Sequence, residues 1–185
     1  FSLESSTHDV AVGYKLFGTD INASAIEEAT NQCPNGMFWV ADVTQPDFCD
    51  NVRSTRRQII KANKNNNDDD SRWFDFVVMQ LLLSVVGGPN ERLRVLQNAS
   101  SLLQPGSGGT LYLSCSGVSD DINPTYQQLY QQDASLTGEA YSYYSRDDVS
   151  GDILYMTHHF TVDELKELLM QAGGFLEDQI TIQQH

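Results

Sequence analysis

Two aspartates stand where an apolar run gives way to polar sequence: Asp20 closes "YKLFGTD" and Asp42 closes "MFWVAD". A carboxylate just past a strand can accept both hydroxyls of a ribose, the geometry that dinucleotide sites use. A second strand-end carboxylate can receive the exocyclic amine of adenine while the next side chain, here Val43, packs on the ring. Two such residues in consecutive strands point to a nucleoside site. Aspartate also caps helices and solvates turns, so that plainer role stays open for both. Gln80 ends a third apolar run in the same way. No carboxylate, thiol or imidazole cluster has the spacing of a metal site, so no metal is expected. Ser84 and Ser114 lack any recognisable nucleophile motif with a partnered His and acid, which argues against hydrolase chemistry.

Strands and helices must alternate to present these residues. "YKLFGTD" reads as a short strand, and Asn22 caps a helix running to about residue 31, with Ser24 and Glu27 as an alternative capping box. Met37 to Val43 is a second strand, rich in aromatic and β-branched residues. Residues 1–12 suit a helix, and 46–70 suit a helix followed by a low-complexity Asn/Asp insertion. "FDFVVMQ" is apolar at nearly every position, which fits a parallel strand covered on both faces. "NERLRVLQNASSLLQ" has helical spacing, "PGSGG" stops it, and "TLYLSCS" is a fourth strand. "DILYMTHHF" looks extended. Thr161 caps the next helix, with Glu164 as capping-box partner and Phe160 and Leu165 as a hydrophobic staple. That helix stops at Ala172-Gly173-Gly174, and "FLEDQITIQQH" alternates like a half-exposed final strand. The class is α/β, with a Rossmann-like, mostly parallel sheet flanked by helices. Residues 1–185 read as one domain, with 44–73 and 117–150 as insertions or loops.

The chain has 185 residues, 40% hydrophobic and 19% charged, which suits one domain with a real core. A formal net charge of −14 argues against a nucleic-acid surface. Arg53, Arg56, Arg57, Lys61, Lys64 and Arg72 cluster, and read as a solvated helix and loop face rather than a docking patch. No apolar run approaches the ~20 residues of a membrane span, so no membrane partner is expected. Cys33, Cys49 and Cys115 form no pair motif, which suits reduced thiols in a cytoplasmic protein.

The segments "FGTDINASAIEEA", "FWVADVT", "FDFVVMQLLLSVVG", "LLQPGSGGTLYLS" and "HHFTVDELKELLMQAGGF" follow one another in the order of class I S-adenosylmethionine-dependent methyltransferases. The chain resembles the group of that family (type 11/12-like domains) with small-molecule or unassigned acceptors. The resemblance covers nearly the whole chain, least well over 44–70 and 117–150. It implies S-adenosylmethionine as cofactor, with Asp20 on the ribose hydroxyls, Ile21 along the adenine, and Asp42 and Val43 on the adenine amine and ring. Gln80 and Leu81 would face the methionine part. The implied reaction transfers a methyl group from the sulfonium to a small-molecule acceptor by in-line displacement, where positioning supplies much of the rate.

His158 and His159 are the candidates for a base or orienting group. Adjacent histidines in a strand point to opposite faces, so they do not share one metal, and burial beneath the capped helix or exposure to solvent is the plain alternative. The tyrosines of 117–150 suit an acceptor-binding lid or the ordinary packing of a long connection. The family's first strand and glycine-rich turn belong before Phe1 and are not in the sequence. A fragment at the N-terminus, and at the C-terminus after His185, is therefore expected, with cofactor binding weakened by loss of the central strand. An NAD(P)-dependent oxidoreductase shares a strand-end acid like Asp20, and a non-catalytic Rossmann-like binding module would tolerate loss of the glycine turn. The acceptor and the oligomeric state have no signature in the sequence.

Overall fold

The computed structural model describes residues 15–62, 73–106, 108–118 and 124–183. The helix expected over 1–12, the Asn/Asp stretch 65–70, Lys64 and Arg72 lie outside the described residues. The chain divides into two compact units, Phe1–Val43 and Thr44–His185, and each is described by itself.

In the first unit, β1 (Phe17–Asp20), α1 (Ala23–Gln32) and β2 (Met37–Val40) form one βαβ turn of chain. The two strands pair in parallel, Phe17 opposite Met37 and Asp20 opposite Val40. Helix α1 starts where expected: the Asn22 side chain accepts a hydrogen bond from the Ser24 amide at 2.9 Å, so Asn22 rather than Ser24 is the cap. A Cβ on Gly18 would stand 2.6 Å from the Phe38 ring, so the glycine of "FGTD" lets that ring lie across the strand. Strand β2 is shorter than the sequence predicts. It ends at Val40, and Asp42 lies two residues beyond it.

The second unit holds α2 (Phe48–Ala62), β3 (Phe76–Gln80), α3 (Leu82–Val85), α4 (Pro89–Leu102), β4 (Thr110–Ser114), α5 (Pro124–Thr137), β5 (Ser142–Arg146), β6 (Ile153–His158) and α6 (Val162–Ala172). Strands β3 and β4 are parallel, with Gln80 opposite Ser114. Strands β5 and β6 are antiparallel, because six residues can close a turn but cannot make a crossover. Among the described residues the strands thus form three two-stranded sheets, two of them parallel, rather than one continuous sheet. The α/β class and the parallel βα pairing stand as expected. Met79 is buried, while Phe76 and Val78 on the opposite face of β3 are exposed, so cover on both faces is not seen.

Helix α4 supplies the centre of the core. Pro89 opens it, where a missing amide costs nothing, and Val95, Leu96, Ala99 and Leu102 recur at helical spacing and are buried. Phe48, Cys49 and Val52 of α2 and Leu165 and Leu169 of α6 are buried as well. The segment 117–150 is far from structureless, since it contains α5 and β5. The expected final strand is absent from the described residues. A short 3₁₀ turn, Glu177–Gln179, stands there, and an alternating pattern without a partner strand has no ladder to join. Cys33, Cys49 and Cys115 are free thiols. No helix among the described residues is long and apolar enough to cross a membrane.

Candidate functional site

In the first unit, parallel pairing carries the ends of β1 and β2 to one edge. The Ala41 amide donates to the Asp20 carbonyl at 3.0 Å, so Asp20 and the Ala41-Asp42-Val43 exit run side by side. Asp20 and Ile21 are exposed there, and Asp42 and Val43 are half-buried. Asp20 also performs the humbler task weighed for it: its Oδ1 accepts the Asn22 amide at 2.7 Å and sets the turn into α1. The four nucleoside-binding candidates thus share one strand edge.

Gln80 and Leu81 occupy the corresponding edge of the second unit. Leu81 adopts φ 56, a left-handed conformation uncommon for a bulky residue. Its amide donates to the Ser114 carbonyl at 2.9 Å, with Ser114 Oγ at 3.2 Å, which holds the chain as it leaves β3 for α3. Ser84 is buried and its Oγ accepts the Ser116 amide at 2.7 Å, so both serines serve the backbone rather than a nucleophile's role. The path then continues past β4: the Phe160 amide donates to the Ser116 carbonyl at 2.8 Å, and the Val118 amide to the Phe160 carbonyl at 2.8 Å. His158 and His159 are therefore delivered just beyond the carboxyl edge of β3 and β4.

The two histidines are buried and serve separate surroundings, as strand geometry requires. His158 Nε2 lies 2.8 Å from Glu164 Oε1, and His158 Nδ1 lies 2.7 Å from Ser142 Oγ. A neutral imidazole satisfies both, with Nε2–H donating to the carboxylate and Nδ1 accepting the serine hydroxyl. Burial lowers the His158 pKa and the nearby Arg92 guanidinium lowers it further, against the pull of Glu164 and Glu139. Arg92 itself is buried, donating to the Gly87 carbonyl at 2.7 Å and pairing with Glu139. A Ser–His–Glu series invites a nucleophile reading, yet Ser142 has no exposed surface for a substrate carbonyl to reach. Glu164 is the expected capping-box residue, but its carboxylate goes to His158. Only the Thr161 half of the box forms, Oγ1 accepting the Glu164 amide at 3.1 Å.

His159 faces aromatic rings instead. Its Nδ1 lies 2.5 Å from the Tyr130 hydroxyl, and its ring meets Tyr126, Tyr130 and Tyr143 at centroid distances of 4.9, 5.7 and 5.8 Å. Tyr141 joins edge-on to Tyr130 at 5.8 Å. Burial, then the neighbouring tyrosines, push the Tyr130 phenol up to about 12, and burial lowers the His159 pKa. Tyr126, Tyr130 and Asp133 follow at i, i+4 and i+7 on α5. Buried Asp133 takes both arms of Arg146 at 2.7 and 2.8 Å and accepts the Tyr144 amide at 2.8 Å, fastening α5 to β5. Sequence reading missed Arg92, Asp133, Glu139 and Ser142. A charged residue on the apolar stripe of α4 was the available sign for Arg92, since a buried charge demands a partner. Among the described residues no group of His, Cys, Asp or Glu is placed to hold a metal.

No protein-family model matches the chain, and no curated protein matches it. Among solved structures it is similar to a SAM-dependent methyltransferase from Methanosarcina mazei, at 28% identity and a TM-score of 0.65 over 86% of this chain and 69% of that one. An S-adenosylmethionine-dependent methyltransferase from Clostridium acetobutylicum matches at 12% identity and a TM-score of 0.49, over 86% and 63% of the two chains. A pericyclic reaction enzyme matches at 11% identity and the same TM-score, over 86% of this chain and 30% of that one. The last two are too loose a likeness to inform function. The fold is similar to that of the methanosarcinal methyltransferase.

Proposed function

We propose that the chain is an S-adenosylmethionine-dependent methyltransferase acting on a small molecule. The observation that carries this is the 0.65 TM-score to a SAM-dependent methyltransferase over 86% of the chain. Parallel strand edges carrying Asp20 and Asp42 in one unit and Gln80 and Leu81 in the other support it. An exposed carboxylate at a parallel strand's carboxyl end fits a ribose, and Ile21 beside it offers apolar surface to a base. Asp20 would bind the ribose hydroxyls, and Asp42 and Val43 the adenine amine and ring. Gln80 and Leu81 would face the methionine part. When bound, the cofactor supplies an electrophilic methyl group on a sulfonium. The protein's task is then to fix the acceptor's nucleophilic atom in line with that methyl and to exclude water. Three free cysteines suit the reducing cytoplasm.

Calorimetric titration with S-adenosylhomocysteine tests the reading. Asp20→Asn keeps an oxygen for the Asn22 amide but loses the charge, so it is expected to weaken binding at least about tenfold, the loss of roughly one charge-assisted hydrogen bond. Equal binding by the variant would remove Asp20 from the site. No binding by either protein, with NADH bound instead, would turn the reading to an oxidoreductase.

A further inference from the structure

The tyrosine and histidine cluster is costly as mere packing. A core would fill this space with Leu or Phe, whereas here phenol and imidazole polar atoms are drawn together and partly desolvated. Tyr141 is held at φ 57, the left-handed region that strains a bulky residue, and such strain gathers at functional sites. Tyr126, Tyr130 and Tyr143 are half-buried and Tyr141 is 39% exposed, so the cluster reaches solvent. It also stands just past the carboxyl edge of β3 and β4, next to the segment Ser116–Val118 that β4 leads into.

We propose that Tyr126, Tyr130, Tyr141, Tyr143 and His159 form the binding site for the methyl acceptor, and that this site takes a flat, uncharged aromatic molecule bearing a hydroxyl group. The word acceptor rests on the methyltransferase reading; the ligand chemistry rests on the cluster alone. The rings already touch one another, with centroids between 4.9 and 6.5 Å apart, so they make a wall for stacking rather than a cage around an ammonium. Among the described residues, neighbouring charges are spent on each other, Arg92 on Glu139 and Arg146 on Asp133, which favours an uncharged ligand over a cation. A phenol held up to about 12 keeps its proton at neutral pH. With neutral His159 carrying its proton on Nε2, Tyr130 O–H donates to Nδ1 and the Tyr130 oxygen keeps a lone pair for a ligand's hydroxyl. His159 acts through Tyr130 as a positioning residue, fixing the phenol so that it accepts rather than donates.

Umbelliferone, a flat phenol, and coumarin, the same ring system without the hydroxyl, separate these claims. Each is titrated into the full chain by fluorescence, with the umbelliferone hydroxyl protonated, in the presence and absence of S-adenosylhomocysteine. Umbelliferone is expected to bind roughly tenfold tighter than coumarin, one hydrogen bond's worth. Tyr130→Phe is expected to bring umbelliferone down to coumarin's affinity while leaving coumarin unchanged, a pattern that misfolding cannot produce. Tyr126→Ala, which shortens the wall, is expected to weaken both alike. Equal binding of the two probes by the wild type would overturn the proposal. So would a hydroxyl preference that survives Tyr130→Phe, or tighter binding of benzyltrimethylammonium. Umbelliferone binding without S-adenosylhomocysteine binding would leave the aromatic site standing and overturn the methyltransferase reading. The reverse pattern would overturn the site alone.

Discussion

Arg92 is a buried cation, 1% exposed, paired with Glu139 and set over the Phe160 ring at 5.9 Å. Arg92→Met keeps the bulk and removes the charge. Taking one partner from a buried pair costs about 3–5 kcal/mol. Glu139 retains 19% of its side-chain exposure and so some water, which favours the low end, about 3 kcal/mol at pH 8. For a chain of this size that is a fall of roughly 6–12 °C in melting midpoint.

The pH dependence is the sharper test, because Arg92 also holds down the His158 pKa after burial does. Without it, Glu164 Oε1 at 2.8 Å and Glu139 Oε2 at 3.7 Å remain, and both favour the imidazolium. The wild-type folded value lies below the ordinary 6.5. The stability contributed by neutral His158 is therefore present above that pH and falls as pH drops below it. In the variant burial still lowers the folded value, but the loss of Arg92 is expected to raise it, so less of that stability is lost as pH drops. Each unit of change is worth about 1.4 kcal/mol. Between pH 8 and pH 6 the variant's deficit is thus expected to shrink, by up to about 1 kcal/mol. His159 is lowered by burial and then by His158, so it answers the same substitution and the comparison reads the two histidines together. Urea denaturation followed by the near-ultraviolet dichroism of the tyrosine cluster measures it at both pH values. A deficit that is equal at both, or larger at pH 6, would refute the placement of Arg92 as the charge that keeps His158 neutral.

Two further substitutions probe local geometry. Thr161→Val removes the hydroxyl that accepts the Glu164 amide and is expected to cost about 1 kcal/mol in chemical denaturation; a neutral result would mean that α6 starts without its cap. Gly174 has φ 81, and a Cβ there would meet Ser100 Oγ at 2.2 Å, so Gly174→Ala is expected to cost about 2 kcal/mol or more from strain and a displaced serine. Ser100 Oγ donates to the Gly173 carbonyl at 2.7 Å, and Ser100→Ala in the same chain is expected to return part of that loss. Additive losses in the double variant would show that the two positions do not touch.

What the sequence made legible was local. Asn22 and Thr161 cap the helices they precede, and Asp20 ends a strand, because each effect spans four residues or fewer. The final strand failed for the opposite reason: alternation in "FLEDQIT" describes a face, while a strand also needs a partner edge, which no local pattern specifies. His158 illustrates the same limit. Its partners come from two parts of the chain, Glu139 and Ser142 around the start of β5 and Glu164 in α6, and Glu164 fits a capping box so well that its real engagement was invisible. The segment 117–150 was opaque because Gln and Ser dilute its apolar content, although Tyr126, Tyr130 and Asp133 do mark one helical stripe. That stripe joins two kinds of interaction on one face of α5. Two tyrosines stack near His159, and one turn further on Asp133 is clamped by Arg146 and the Tyr144 amide. Stacking is tolerant of small shifts, but a bidentate carboxylate–guanidinium pair is not. The ion pair therefore sets where the aromatic wall stands, which is why a buried charge sits on a helix that otherwise needs only rings.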